Sequence, residues 1–395
     1  MSARAYPSDL AARVREVWPE SGAPLPRGLE RVLDTAYHAS FLRDEERPVT
    51  FRLLVAPKRA LPDDAGPPDA LLPLVFETPR AFDEDELRRL SPAAKYHRAF
   101  IAADEDGDTL FTWGLVQSGP RWLQPTKGGR LLEPSVPRHL VVRVVRPGHL
   151  AVCCGEQLVA EMRNGKLSDF GIDVFKARWL SDLFAKDRVD LATEHRNIGG
   201  TVEEAVASKR TRQFAQQMIK RVISTMRSAH HGGTVINLPS ECAAYDFLTT
   251  KYALDDTPAR KHFRRVVLAM LASPNAEVAA DLDESLFELA HLIAALADVD
   301  GAVVLTKRFE MLGFGAEIVG NLPQVDEVRR ALDQEGDRYL IERTDGVGTR
   351  HRSAYRLCEA VDGAIAIVVS HDGDVRFVTR HRGAVTYWDH TASND

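Results

Sequence analysis

No apolar run in this 395-residue sequence is long enough to cross a bilayer. The best candidate, residues 286–296, is interrupted by Glu288 and His291, so no membrane span is expected. The opening MSARAYPSDLAARVREVW carries no apolar core of the kind a secretory signal needs. Cysteine is scarce: Cys153, Cys154, Cys242 and Cys358, with no CxxC spacing. That excludes a disulfide framework or a zinc finger as the basis of the fold, and a reducing, cytoplasmic setting is expected. The positive excess that favours nucleic acid is missing as well. Fifty-one Lys and Arg against 57 Asp and Glu leave a formal charge of −6, so no DNA partner is expected. There is no internal repeat and no low-complexity tract, which argues against a solenoid or a disordered linker protein.

What is present suits a globular chain of two or three domains, with 44% hydrophobic and 27% charged residues. Residues 1–27 read as a short amphipathic arm broken at Pro24 and Pro26, followed by a helix from Gly28 to about Ser40. From Val49 the texture is β-like: FRLLVAP, LLPLVFETP, TLFTWGLVQSG, HLVVRVVRPGHLAVCCG and EQLVAEMRNGKL alternate and end in Gly, Pro or Asn. A polar helix is expected over 81–97. Residues 201–227 repeat at helical spacing, HHGGTVINLP turns into a strand, and 240–299 read as mostly helical. In that stretch SPNAEVAADLDES is expected to be a loop, with Asp283 or Ser285 capping the next helix. Beyond it, GAVVLT is a strand, 320–345 a charged connector, SAYRLCEAV a helix, and GAIAIVVS, DVRFVTR and AVTYW are strands. Continuous apolar strands alternating with a helix predict an α/β sheet covered on both faces.

Two segments near the C-terminal end carry chemistry. Gly348-Thr349-Arg350-His351-Arg352-Ser353-Ala354 leads a loop into a helix. A helix N-terminus offers unpaired N–H groups and partial positive charge. Guanidiniums match phosphate oxygens two at a time. Basic side chains in a first turn oppose the helix dipole, a penalty of roughly 0.3–1 kcal/mol each that a bound anion offsets. A solvated basic cap is the plainer alternative. Asp300-Gly301-Ala302 stands where a helix gives way to a buried strand. An Asp before Gly is most often a turn residue. Beside a buried strand, its carboxylate also suits a divalent cation.

DGAVVL, then GTRHRSA, then AIAIVVS, with AEIVGNLP between them, resemble the diadenylate cyclase domain of bacterial and archaeal proteins, across about residues 280–380. The resemblance implies an α/β (α+β) fold with a central mixed sheet flanked by helices, in which two ATP-loaded domains meet face to face as a homodimer or within a larger homo-oligomer. It implies that Asp300 holds Mg²⁺ or Mn²⁺ and helps activate a 3′-hydroxyl, with Asp372 a candidate second carboxylate. It further implies that Gly301 and Ala302 contact the nucleotide, that Thr349, Arg350, His351 and Arg352 hold phosphates, and that Gly348, Ser353 and Ser370 line the same ATP pocket. His371-Asp372-Gly373 departs from the acidic residues the family often carries after the strand serine. The connector after Leu322 is longer than the family pattern.

Upstream, TAYHASFLRDEERPVTFRLLV, ELRRLSPAAKYHRAFIAA, LFTWGLVQSG and MRSAHHGGTVINLP resemble the β-rich probable sensor domain of the DACNV type that precedes such cyclases. The resulting partition is an arm (1–27), a sensor (28–240), a helical connector (241–280) and a cyclase (281–390). A nucleotide-binding sensor without activity and a dimerising scaffold are the competing readings. Other features have plainer explanations. Asp104–Asp108 reads as a β-turn rather than a calcium loop, since no acid closes it. His230-His231-Gly232-Gly233 and Thr126–Gly129 read as turns. Lys209, Arg210, Arg212, Lys220 and Arg221 read as a solvated or interdomain helix face. Trp113 and Trp122 are expected in the N-terminal core.

Overall fold

The computed structural model describes residues 4–61, 66, 71–96, 98–118, 128, 136–163, 165–168, 172–229, 232–240, 247–272, 276–319, 322–371 and 373–390. The chain divides into two compact units, the first reaching Gly171 and the second running from Ile172 to Ser393. The division falls well before the 240/241 boundary expected from the sequence. The helices and first strand expected to close the sensor therefore belong to the second unit.

In the first unit, α1 (Pro7–Val17) and α2 (Leu29–Ala39) precede a small hairpin, β1 (Arg43–Asp44) and β2 (Arg47–Pro48). Then come β3 (Phe51–Val55), β4 (Leu72–Ala81), α3 (Glu84–Leu90), β5 (Ala99–Asp106) and β6 (Thr109–Gln117). The unit closes with β7 (Leu140–Arg146), β8 (His149–Cys154), β9 (Gln157–Arg163) and β10 (Lys166–Ser168). Eight strands form one sheet in the order β10-β9-β8-β7-β3-β5-β6-β4, antiparallel except for β3 beside β5. Within the expected arm, 1–27, the described residues from 4 onward pack on the sheet. Leu10, Ala11 and Val14 of α1 are fully buried with α2 against Leu53, Ile101 and Val142. The helix expected over 81–97 is confined to α3, which Asp83 caps by accepting from the Glu86 amide at 2.8 Å; Pro92 bars its extension. Asp106-Gly107-Asp108 is the turn of the β5–β6 hairpin, with Gly107 at φ 59. Trp113 is buried, and its Nε1 donates to the Ala56 carbonyl at 2.9 Å. Trp122, His230 and His231 lie outside the described residues.

The second unit opens with α4 (Arg178–Leu183), α5 (Ala185–Asn197) and α6 (Glu204–Ser228). These lead into β11 (Gly233–Leu238), β12 (Leu248–Ala253), α7 (His262–Ala272) and α8 (Ala276–Leu296). After them come β13 (Ala302–Thr306), β14 (Met311–Ile318), β15 (Glu327–Ala331), β16 (Tyr339–Arg343), α9 (Thr349–Ala360), β17 (Ile365–Val369), β18 (Val375–His381) and β19 (Ala384–Asp389). Nine strands make one mixed sheet in the order β12-β14-β13-β11-β17-β18-β19-β15-β16. Strand side chains alternate across its faces. Val235, Val303, Leu305, Ile367 and Phe377 pack under α6, α7 and α8, while Ile236, Val304, Ala366, Val368 and Val378 pack under α9. The α/β sheet covered on both faces is therefore the observed architecture.

Four local expectations are corrected. Residues 248–253 are a strand, not helix: LTTKYA lies on the sheet edge, largely exposed, so it lacks the apolar signal of an inner strand. The expected loop at 273–285 is helical from Ala276, as its Ala, Glu and Leu content favours. Asp283 and Ser285 therefore sit inside α8, not at its start. The 320–345 connector contains the β15–β16 hairpin, again on an edge. Finally, α4 and α5 had no sequence signal; α5 buries only Asp187, Leu191, Ala192 and His195, too few for a clear stripe.

Candidate active site

One end of the nine-stranded sheet gathers the expected residues. The parallel β11–β13 ladder pairs Thr234 with Ala302, and the antiparallel β11–β17 ladder pairs Gly233 with Val369. Asp300 lies two residues before Ala302, at the start of β13. The starts of β11 and β13 thus share an end with the Ser370 terminus of β17 and, through the Val369–Val375 pair, with the start of β18.

Arg350 reaches that end. A Cβ added to Gly232 would lie 2.8 Å from Arg350 Nη1, 2.9 Å from the His371 amide nitrogen and 3.0 Å from the Val369 carbonyl oxygen. The guanidinium therefore lies over the β11 start, and only a residue without a side chain leaves it room. Gly232 is the site residue that sequence reading missed. Its Gly-Gly context suggested only a turn, and its role depends on a register invisible before folding.

Gly348 is the N-cap of α9, with extended backbone and no side-chain cap. The first turn carries no acid. Thr349, Arg350 and Arg352 are exposed, and His351 and Ser353 are half-buried. Neither Arg350 nor Arg352 makes an ion pair with a described residue, so a helix N-terminus and two unneutralised guanidiniums face the same solvent. His351 differs from its neighbours. Burial first, then the Arg376 guanidinium, pushes its pKa down to about 4, so at neutral pH it is an uncharged hydrogen-bonding group and not a third cation. Beneath it, Arg376 pairs with Asp389 at 2.9 Å and stacks over Tyr387 at 4.5 Å. Asp389 also takes Arg330 at 3.1 Å, and the Tyr387 hydroxyl donates to Glu342 at 2.5 Å. This network fixes the floor on which the helix end rests.

Asp300 is exposed, and its carboxylate takes no hydrogen bond or ion pair from a described residue. Gly301 has φ 110 and a strand packed against it. Ala302 points into the core under α9, which limits it to backbone contacts. Ser370 closes the β17–β18 turn: its amide donates to the Asp374 carbonyl at 2.8 Å, and its Oγ accepts from the Asp374 amide at 3.0 Å. Its hydroxyl proton remains available to an acceptor. Asp372 lies outside the described residues. Among the described residues no three His, Cys, Asp or Glu side chains are grouped to hold an ion. One exposed carboxylate fits a hard divalent cation that takes its remaining ligands from phosphate and water.

Residues 19–117 match the family model described as probable sensor domain DACNV. That match lies wholly in the first unit. Among solved structures, the chain is similar to a double mutant of DacA from Staphylococcus aureus, at 16% identity and a TM-score of 0.23, over 45% of this chain and 86% of that one. No curated protein matches. No helix among the described residues is long and apolar enough to cross a membrane.

Proposed function

We propose that the second unit is a diadenylate cyclase, condensing two ATP into cyclic di-AMP and two pyrophosphates, and that the first unit regulates it. What supports this reading is the Arg350 guanidinium at the α9 N-terminus, laid over Gly232 at the end of the sheet where β13 begins after the unpartnered Asp300 carboxylate. A triphosphate set against that helix end would meet free N–H groups, Thr349, Arg350 and Arg352, while neutral His351 would donate one hydrogen bond. Asp300 would hold Mg²⁺ or Mn²⁺, which when bound supplies charge neutralisation and acidifies a coordinated hydroxyl. Phosphoryl transfer asks little else of a protein beyond positioning and electrostatics. The 3′-oxygen of one ATP forms a bond to the α-phosphorus of the other, that phosphorus loses its bond to the bridging oxygen of pyrophosphate, and the 3′-proton leaves to solvent. Repeating the exchange with the roles reversed closes the ring, which is why two loaded units must face each other in a homodimer or larger assembly.

The second reading is a nucleotide-binding sensor without turnover, favoured by the absence of a grouped carboxylate set among the described residues. One experiment separates them. The purified full chain is incubated with ATP and Mn²⁺ or Mg²⁺, and products are weighed by mass spectrometry alongside an ATP-binding isotherm. Cyclic di-AMP with stoichiometric pyrophosphate supports the cyclase. ATP bound without product leaves the sensor, and no ATP bound removes both.

A further inference from the structure

A second candidate site lies elsewhere in the same unit. Helices α4, α5, α6 and α7 and the turn after β13 line a half-open cavity of about 40 Å³. That is room for roughly three water-sized bodies, enough for a short chain. Its body is apolar: Phe184, Phe263 and Phe309 pack on one another, with centroids 4.6 Å apart for Phe263–Phe309 and 6.3 Å for Phe184–Phe309. Its polar edge is cationic. Arg188 and Arg212 both line it with no acid ion-paired to either among the described residues. Arg188 is held by donating to the Ser181 carbonyl at 2.7 Å and to Ser181 Oγ at 3.3 Å. The lining carboxylate, Asp187, is already engaged by Ser240 Oγ at 2.8 Å and by Arg308.

We propose that this cavity binds a small carboxylate with a short apolar chain, the chain against the three phenylalanines and the carboxylate between Arg188 and Arg212. Two guanidiniums drawn together at an apolar mouth repel one another, and burial adds to that cost. Burial and then Arg212 lower the pKa of Arg188, with Asp182 and Asp187 opposing. An anion bridging the two relieves both penalties, and a carboxylate matches a guanidinium in plane and spacing. A neutral molecule of the same shape would fill the apolar part and leave the charges as they are. An occupant would also touch Phe309, in the turn that ends β13, the strand whose other end begins beside Asp300.

The test is calorimetry on the full chain with propionate, and with propionamide as the uncharged match. Saturable one-site binding of propionate is expected, at least about tenfold weaker for propionamide and for Arg212→Gln, and abolished by Ala215→Trp, which fills the space from α6. Asp300→Asn should bind propionate as the unaltered chain does, so loss of the cyclase reading would leave this one standing. No propionate binding, equal affinity for the amide, or undiminished affinity in Arg212→Gln would each overturn it. If Ala215→Trp does not fold, Arg212→Gln still decides, because that half-buried side chain makes no ion pair with a described residue.

Discussion

Asp300 and Gly301 are neighbours with opposite duties. Gly301 has φ 110, a conformation L side chains rarely adopt, and an added Cβ would sit 2.6 Å from the Gly315 backbone carbon and 2.8 Å from the Ala316 amide nitrogen. Both partners are backbone in an adjacent strand and cannot step aside. Gly301→Ala should therefore lower stability by about 1–3 kcal/mol, read as a shift in urea midpoint at constant slope. Asp300 touches nothing that holds the fold. Asp300→Asn should leave stability within about 0.5 kcal/mol and ATP affinity nearly unchanged, while cutting cyclic di-AMP formation roughly a hundredfold or more. Product assays beside a binding isotherm check both halves, and near-normal turnover would remove Asp300 from the chemistry. The sequence showed these residues because an acid before glycine and the four polar residues Thr349 to Arg352 after a glycine are local signals. It could not show Gly232, or that His351 is uncharged, because both follow from which strand lies beside which and from what a helix end is pressed against.

At the scale of elements, inner and outer parts of the sheet differed in how well they could be read. β11, β13 and β17 are fully buried apolar strands, and their sequence stretches announced them. β12 and β16 form the two margins of the sheet with mostly exposed side chains, and β15 lies one strand in from β16 with only Val328 and Ala331 buried, so residue chemistry there says little about pairing. The same limit misplaced Arg221. It was expected on a solvated or interdomain face of α6, yet its side chain is buried inside the second unit and pairs with Asp283 of α8 at 2.7 Å, while Nη1 donates to the Asp283 carbonyl at 3.1 Å. Partners 62 residues apart leave no periodic trace. Removing one side of a buried pair strands the other charge, so Arg221→Ala should destabilise the second unit by about 3–5 kcal/mol. Chemical denaturation checks this. A loss below about 1 kcal/mol would mean that water reaches Asp283 once the arginine is gone.

Across the whole molecule, the formal charge of −6 counts every histidine as neutral, and burial in the second unit keeps several of them so. His390 is fully buried between Phe175 and Phe377, with ring centroids 5.2 and 5.5 Å away, and burial pushes its pKa down to about 4. Its Nδ1 accepts from the Val174 amide at 3.3 Å, a bond that protonation there destroys. His351 shifts the same way, also to about 4. In the unfolded chain both take a proton near pH 6.5. Between about 6.5 and 4 the unfolded state therefore binds more protons than the native one, and stability must fall as pH falls through that window. At about 1.4 kcal/mol per unit, His390 alone contributes about 3 kcal/mol of that loss; His351, partly open to solvent, contributes less. Denaturant midpoints at pH 7, 6, 5 and 4 should decline steadily. His390→Phe keeps the ring packing, forfeits the bonds to the Val174 and Ile172 backbone at a cost of about 1 kcal/mol each, and cannot protonate. It should start less stable at pH 7 and lose less on acidification, so that the two curves converge. Parallel curves would show that the acid sensitivity of this unit comes from another group.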